Sequence, residues 1–264
     1  MKIFWMNWPF PELIAFSFAL PRMLAVFSVL PMFNRQALPG MLRIGVAGGL
    51  SIFLVPSLID PAMAIDRSTG QIMLICFKEA LIGFLLGFII AIPVWAFEIM
   101  GAYIDNQRGA SIAQTLNPLT GHDSSPLGDL FSQTIVILLF VTGGFLLIIS
   151  AIQDSYRLWP VFGMLPDLNA ATPEFLLSLA DRMMRLAIIM SAPVMFAMFL
   201  AEIGLAIVSR FVPQLQVFFL AMPIKSAIAI FIFSIYIALL FDYSIDSVRN
   251  IGSAALQDLM TIIK

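Results

Sequence analysis

The chain has 264 residues, of which 61% are hydrophobic and only 11% charged, less than half the roughly 25% charged share of a soluble domain. That composition excludes a soluble globular protein and points to an integral membrane class. A net charge of −2 with no Lys/Arg run excludes a nucleic-acid partner, and the single cysteine, Cys76 in an apolar run, excludes an intrachain disulfide.

In chain order, the N-terminus "MKIFWMNWPFPELIAFSFALPRML" carries only Lys2 as early positive charge. Glu12 opens the apolar run, Pro21-Arg22 interrupts it, and no small-residue cleavage site follows. It reads as a retained hydrophobic helix rather than a secretory signal. Six windows approach the apolar length a bilayer demands: Phe10–Phe33, Ile44–Ile59, Ile72–Met100, Phe131–Ile152, Met183–Val208 and Leu215–Phe241. The second is short, a half-span or a tilted partner. The third is long and holds Pro93, which predicts a kink.

Turn-forming residues separate the windows. Asn34–Gly40 and Asp60–Gly70 read as short polar loops. In Asp167–Phe175, Thr172 is a predicted N-cap, with Pro173 at N1 and Glu174 in the first turn. Ser209–Gln216 divides the last two windows tightly, as a helical hairpin would. The tail 242–264 reads as an amphipathic helix. Basic residues are spread almost evenly among the loops, so the charge rule for membrane orientation indicates no direction.

No catalytic constellation assembles. His122, the only histidine, lies in "GHDSSP", but triad members meet in space rather than along one turn, which favours a solvated or capping histidine. There is no G-x-S-x-G, H-E-x-x-H or phosphate-binding glycine loop, and no His/Cys cluster for a metal. The expectation is a protein that is not an enzyme and has no cofactor.

Ionisable residues within the apolar runs carry more information. Arg22, Arg43, Lys78, Glu79, Glu98, Arg185, Glu202 and Lys225 are each costly in lipid, so each is expected to face protein or water. Pairing between helices is favoured over a proton relay. Lys78 and Glu79, adjacent on one helix, are expected to point to different faces and not to pair. Gly45 with Gly49, and Gly83 with Gly87, place two small residues on one helix face and predict close helix packing. A faint echo relates Ile92–Gly101 to Ala192–Gly204, each running Pro-Val, apolar residues, Glu-Ile and Gly.

Between two of the most apolar windows lies the polar stretch "GAYIDNQRGASIAQTLNPLTGHDSSPLGD", Gly101–Asp129. The preceding helix can continue to about Leu116, after which "NPLTG" and "SSPLG" demand turns. Its length suits a functional loop. It either leaves the membrane or lines a wet cavity, because unsatisfied backbone does not survive in hydrocarbon.

Within this stretch, Tyr103–Gly128 resembles the signature of the SctT family, export-apparatus subunits of bacterial type III secretion injectisomes related to the flagellar FliR proteins. Leu200–Ala229 agrees through Glu202, Arg210, Pro213-Gln214, Phe218 and Lys225, and Lys78–Phe88 through Glu79, Gly83 and Gly87. The resemblance covers essentially the whole chain.

The resemblance implies an all-α integral membrane protein of kinked hydrophobic helical hairpins, assembling into a multi-subunit helical export gate in the bacterial inner membrane. The chain is expected to be a single membrane domain, 1–264, with a plug-like loop at about 106–128. Implied partners are SctR-like and SctS-like membrane subunits, an SctU-like switch protein, exported unfolded proteins and membrane lipid. The pore or plug residues implied are Asp105, Asn106, Gln107, Arg108, Asn117, Pro118, His122, Asp123, Ser124 and Ser125. Assembly and packing fall to Glu79, Gly83, Gly87, Glu98, Glu202, Arg210, Pro213, Gln214 and Lys225. A flagellar subunit, a proton-coupled transporter using Glu98 or Glu202, and a hydrolase using His122 and Ser124 stand as alternatives.

Overall fold

The computed structural model describes residues 11–33, 39–63, 68–110, 125–163, 172–212, 217–249 and 257–258. These form eight α-helices and one 3-10 turn: α1 (Pro11–Val29), the turn Pro31–Phe33, α2 (Gly40–Ile52), α3 (Val55–Met63), α4 (Thr69–Arg108), α5 (Pro126–Val141), α6 (Gly144–Leu158), α7 (Thr172–Phe211) and α8 (Val217–Arg249). No strand occurs among the described residues. Helices dominate because an apolar segment in lipid must satisfy every backbone group internally. Four helices are long and apolar enough to cross a membrane: α1, α4, Leu177–Phe211 of α7 and Leu220–Ser247 of α8. The pairs α2–α3 and α5–α6 bring the number to six if each counts as one interrupted span.

Several boundaries depart from the sequence-based expectations. The short second window is two helices bent by 73° at Phe53–Leu54. The fourth window, Phe131–Ile152, is not one helix. It breaks at Thr142–Gly143, where Gly143 takes φ +77° and the Thr142 N–H closes the last turn on the Leu138 carbonyl at 2.8 Å. That left-handed residue is a helix terminator that glycine adopts without steric cost. Helix α4 stops at Arg108 rather than near Leu116, because Gly109 turns to φ 84° and its N–H bonds the Asn106 carbonyl. Pro126–Gly128, expected in the loop, are the first turn of α5. α7 begins at Thr172, within one residue of its predicted start, and α8 runs on to Arg249, so the tail's first residues continue a long helix. The remainder of the tail lies outside the described residues, apart from 257–258.

The chain divides into two compact units, Met1–Ala91 with Gly143–Leu176 and Asn250–Lys264, and Ile92–Thr142 with Leu177–Arg249. Helix α4 contributes to both, the division falling just before Pro93.

In the first unit α1 is the central element. Its inward face, Ala15, Phe18, Ala19, Arg22, Met23, Val26 and Phe27, follows the three-to-four spacing of one helix side. It packs on α2, α3 and the first half of α4. Gly83 and Gly87, one turn apart on α4, make that approach possible. A Cβ at 83 would run into the Arg22 carbonyl and sit 2.8 Å from Ala25, and one at 87 would lie 3.1 Å from Val26 and Val29. Gly45 and Gly49 behave otherwise: none of the described residues lies within 4 Å of where their side chains would be, and Gly48 meets Phe16 instead. The expected close packing at that pair is therefore absent within the described residues, because the inward face of α2 runs through Ala47, Gly48 and Ser51. Phe33 stacks on Phe27 at 4.4 Å and meets Phe145 edge-on at 6.1 Å, tying the 3-10 turn to α6.

In the second unit α4 crosses the start of α5 at Gly101, where a Cβ would collide with the backbone of Leu127 and Gly128. Phe131 of α5 packs on Phe233 of α8 at 5.3 Å. Among its described residues α8 buries a narrow stripe, Ala221, Lys225, Ala229, Leu240 and Ser244. Most of its other described residues are exposed or only partly covered, and 17% of its most apolar window is buried within the chain.

Candidate functional site

The last turn of α4 is a polar node in the second unit. Asp105 is 3% exposed. Its Oδ2 accepts from Ser125 Oγ at 2.5 Å and from the Leu127 N–H at 2.8 Å, and Arg108 holds Oδ1 at 2.6 Å. Ser125 is itself the N-cap of α5, with extended backbone and its Oγ accepting the Gly128 N–H at 3.0 Å, followed by Pro126 at the first helical position. Asp105 thus caps α5 from another helix, placing a carboxylate at the positive end of the helix dipole. Together with the Gly101–Gly128 contact, this pins the end of α4 to the start of α5, on either side of residues 111–124.

A second contact leaves the same turn. Lys225 of α8, buried along the inner stripe, pairs with Glu202 of α7 at 2.7 Å and donates to the Gln107 carbonyl at 3.2 Å. Gln107 Nε2 reaches the same Glu202 oxygen at 3.4 Å. Glu202 lies nine residues before the last residue of α7 and Lys225 eight after the first of α8, the symmetry of an antiparallel hairpin. A cavity of about 460 Å³ opens beside Gln107, Glu202 and Lys225, and the Glu202 side chain is half-exposed to it.

The first unit holds a buried charge cluster. Arg22 is entirely inaccessible, directly after Pro21 in mid-helix. Its guanidinium donates to Glu79 Oε2 at 2.8 Å, Ser155 Oγ at 3.1 Å and the Trp159 carbonyl at 2.8 Å, and lies 4.0 Å over the Tyr156 ring. This is the planar fork and cation–π geometry that suits arginine to burial. Tyr156 in turn donates its hydroxyl to the Ala19 carbonyl at 2.8 Å. Lys78 donates to the carbonyls of Pro160, Val161 and Gly163 at 3.2, 2.6 and 3.2 Å. Contrary to expectation, Lys78 and Glu79 do pair: Nζ lies 3.1 Å from Glu79 Oε1. Adjacent residues diverge at Cβ, but a four-carbon stem is long enough to bring its head back. The contact is an ion pair added to the three carbonyl hydrogen bonds of the ammonium.

Placement of the remaining predicted residues follows. Asn106 is exposed at the end of α4, Gln107 and Arg108 are partly covered, and Glu79 is fully buried. Glu98 is half-buried, and its carbonyl lies where a side chain at Gly128 would go. Arg210 is exposed in the last turn of α7. Arg185 pairs with Asp181 one turn earlier on the surface. Asn117, Pro118, His122, Asp123, Ser124, Pro213 and Gln214 lie outside the described residues. Sequence reasoning missed Ser155, Tyr156 and Trp159–Gly163 as partners of the buried cations. The available signal was an Arg and a Lys-Glu pair inside apolar runs, which demanded partners without saying where they lie. Among the described residues no group of three or more His, Cys, Asp or Glu side chains could hold a metal ion.

Residues 13–251 match the family described as bacterial export proteins, family 1. The chain is 41% identical over 226 residues to the Yop proteins translocation protein T of Yersinia pestis, covering 85% of this chain and 86% of that one. It is 34% identical over 214 residues to the surface presentation of antigens protein SpaR of Shigella flexneri, 80% of each. It is also 31% identical over 252 residues to the flagellar biosynthetic protein FliR of Bacillus subtilis, 94% of each.

Proposed function

The chain belongs to the bacterial export proteins, family 1, and from that membership we propose that it is a subunit of the inner-membrane export gate of a type III secretion system, of the injectisome branch. In this reading it helps to form and to close a passage for unfolded protein substrates. The observation that carries it is the 41% identity over 85% of the chain to a translocation protein, against 31% to the flagellar relative. The flagellar reading stands second on that comparison.

The helices fit a subunit rather than a free-standing transporter. An apolar helix as uncovered as α8 needs lipid or other helices around it. SctR-like and SctS-like membrane subunits are the partners this reading names, with an SctU-like switch protein and the exported chains. In this reading Glu98, Arg210 and the half-exposed Glu202 are the charged groups that would meet such partners. The segment 106–128 supplies the closure, and what supports this role is its anchorage: both ends are held by Asp105, Ser125 and the Gly101–Gly128 contact.

Two experiments test the reading. Purification in mild detergent followed by native mass spectrometry is expected to find the chain with smaller hydrophobic subunits, and a stable, functional monomer would contradict it. Deleting Asn117–Ser124 while keeping Ser125, the cap of α5, is expected to leave assembly intact and make the membrane conduct ions. Unchanged conductance in an assembled deletion complex removes the closure role.

A further inference from the structure

We propose that the turn after α6 and the Glu79 carboxylate form a monovalent-cation site whose resident cation is the chain's own Lys78 ammonium. Four oxygens surround Nζ: the carbonyls of Pro160, Val161 and Gly163 at 3.2, 2.6 and 3.2 Å, and Glu79 Oε1 at 3.1 Å. Lys78 is 6% exposed and Glu79 is fully buried. Glu79 Oε1 is a buried oxygen with no hydrogen-bond donor, aimed at this point.

The chemistry selects the class of ion. Three of the four ligands are neutral carbonyls, the ligand type that replaces the hydration shell of potassium in selective channels. Three of the four distances, 3.2, 3.2 and 3.1 Å, exceed the roughly 2.3–2.6 Å of calcium, and all four exceed the roughly 2.0–2.1 Å of magnesium. They suit ammonium or potassium. A strongly hydrated divalent ion would also need more than one carboxylate to compensate its desolvation.

The site has a structural purpose. Carbonyls at the end of α6 and in the following turn lie at the negative end of the helix dipole, and of the three that meet Lys78 the Pro160 carbonyl also accepts the Gly163 N–H at 3.0 Å. Arg22 takes the Trp159 carbonyl and Lys78 those of Pro160, Val161 and Gly163. Covalent attachment keeps the second cation in place at any ionic composition, as tethering converts binding into an intramolecular event. A cavity of about 660 Å³ borders the same turn at Pro160, Val161 and Gly163, with the α2–α3 elbow opposite, and is the side from which an outside ion would approach.

The test uses the full chain in mild detergent, melted in potassium, ammonium or N-methyl-D-glucamine chloride at equal ionic strength. The wild type melts at one temperature in all three salts. Lys78→Ala melts roughly 10 °C lower in N-methyl-D-glucamine chloride, and potassium or ammonium restores most of that loss with a saturable concentration dependence. Adding Glu79→Gln raises the cation concentration needed by about tenfold or more, the loss of one charged ligand. A Lys78→Ala chain that melts identically in all three salts overturns the proposal. If Lys78→Ala does not accumulate, Lys78→Arg decides. A planar guanidinium keeps the charge but cannot send three hydrogens outward from one centre. The cage requires Lys78→Arg to melt at least about 5 °C below wild type, and wild-type melting of that variant refutes it.

Discussion

Replacing Glu79 by methionine is expected to be the most damaging change in the first unit, more so than removing Arg22, its partner. The cluster contains two cations and one carboxylate, all withdrawn from water. Arg22→Met leaves Glu79 still balanced by Lys78, and breaking a buried pair this way costs about 3–5 kcal/mol. Glu79→Met leaves Arg22 and Lys78 facing each other with no anion between them. Two unit charges about 4 Å apart interact by about 4 kcal/mol at an effective dielectric constant near 20, so one attraction of that order is lost from each cation. Carbonyls and Ser155 absorb part of the difference, which places Glu79→Met at the upper end of the range or above it. The double variant Arg22→Met/Glu79→Met returns the net charge to that of the native cluster, with Lys78 on its three carbonyls. It is expected to be more stable than Glu79→Met alone, with a coupling energy of about 2–4 kcal/mol. At roughly 2–4 °C per kcal/mol, the single variant melts about 10–15 °C below wild type and the double variant recovers several degrees. Thermal unfolding in detergent, followed by tryptophan fluorescence, measures all four corners of the cycle. Additive single effects, with coupling below about 0.5 kcal/mol, refute the claim that these charges act as one unit.

Asp105→Ala removes the carboxylate that accepts from Ser125 and Leu127 and is expected to cost about 1–2 kcal/mol. Hydrogen exchange should show it as lost protection at the first amides of α5, with α7 unaffected. Gly101→Ala drives a methyl group into the Leu127–Gly128 backbone and is expected to destabilise by about 1–3 kcal/mol. Gly45→Ala, facing open space, should be neutral or stabilising by up to about 1 kcal/mol; melting curves of the pair compare an occupied crossing with an empty one. For Glu202 and Lys225, half-exposure of the carboxylate limits the loss on Glu202→Ala to about 1 kcal/mol. The exchange Glu202→Lys/Lys225→Glu is expected to recover most of it in the same assay, and failure of the exchange would mean that the Gln107 carbonyl, not Glu202, anchors Lys225.

Much of the architecture was legible in one dimension because lipid imposes a one-dimensional rule. Apolar length predicts a helix wherever the backbone has no water to bond, and α1, α4, α7 and α8 arise where the runs are longest. Breaks were less legible. Nothing in hydropathy distinguishes Phe131–Ile152 as one helix from two, since a single left-handed glycine makes the difference and Gly143 sits among equally apolar neighbours. The end of α4 was misjudged for the same reason at Gly109. Glycine pairs at identical spacing proved unequal: Gly83 and Gly87 meet α1, while Gly45 and Gly49 meet none of the described residues. Spacing sets which residues share a face, whereas the partner helix decides whether that face is covered.

The charges divide in the same way. From composition and position alone it followed that Arg22, Lys78, Glu79, Glu202 and Lys225 must find partners, because an unpaired ion in an apolar segment is too costly. The family and the membrane class followed from local runs of residues. Who pairs with whom depended on chain separated by many residues: Arg22 with Glu79 and Trp159, Lys78 with the turn after α6, Asp105 with Ser125 across the polar segment. Local sequence sets conformation and the cost of burial, but hydrogen bonds and ion pairs act over about 3 Å, and only the packing of helices brings distant residues that close.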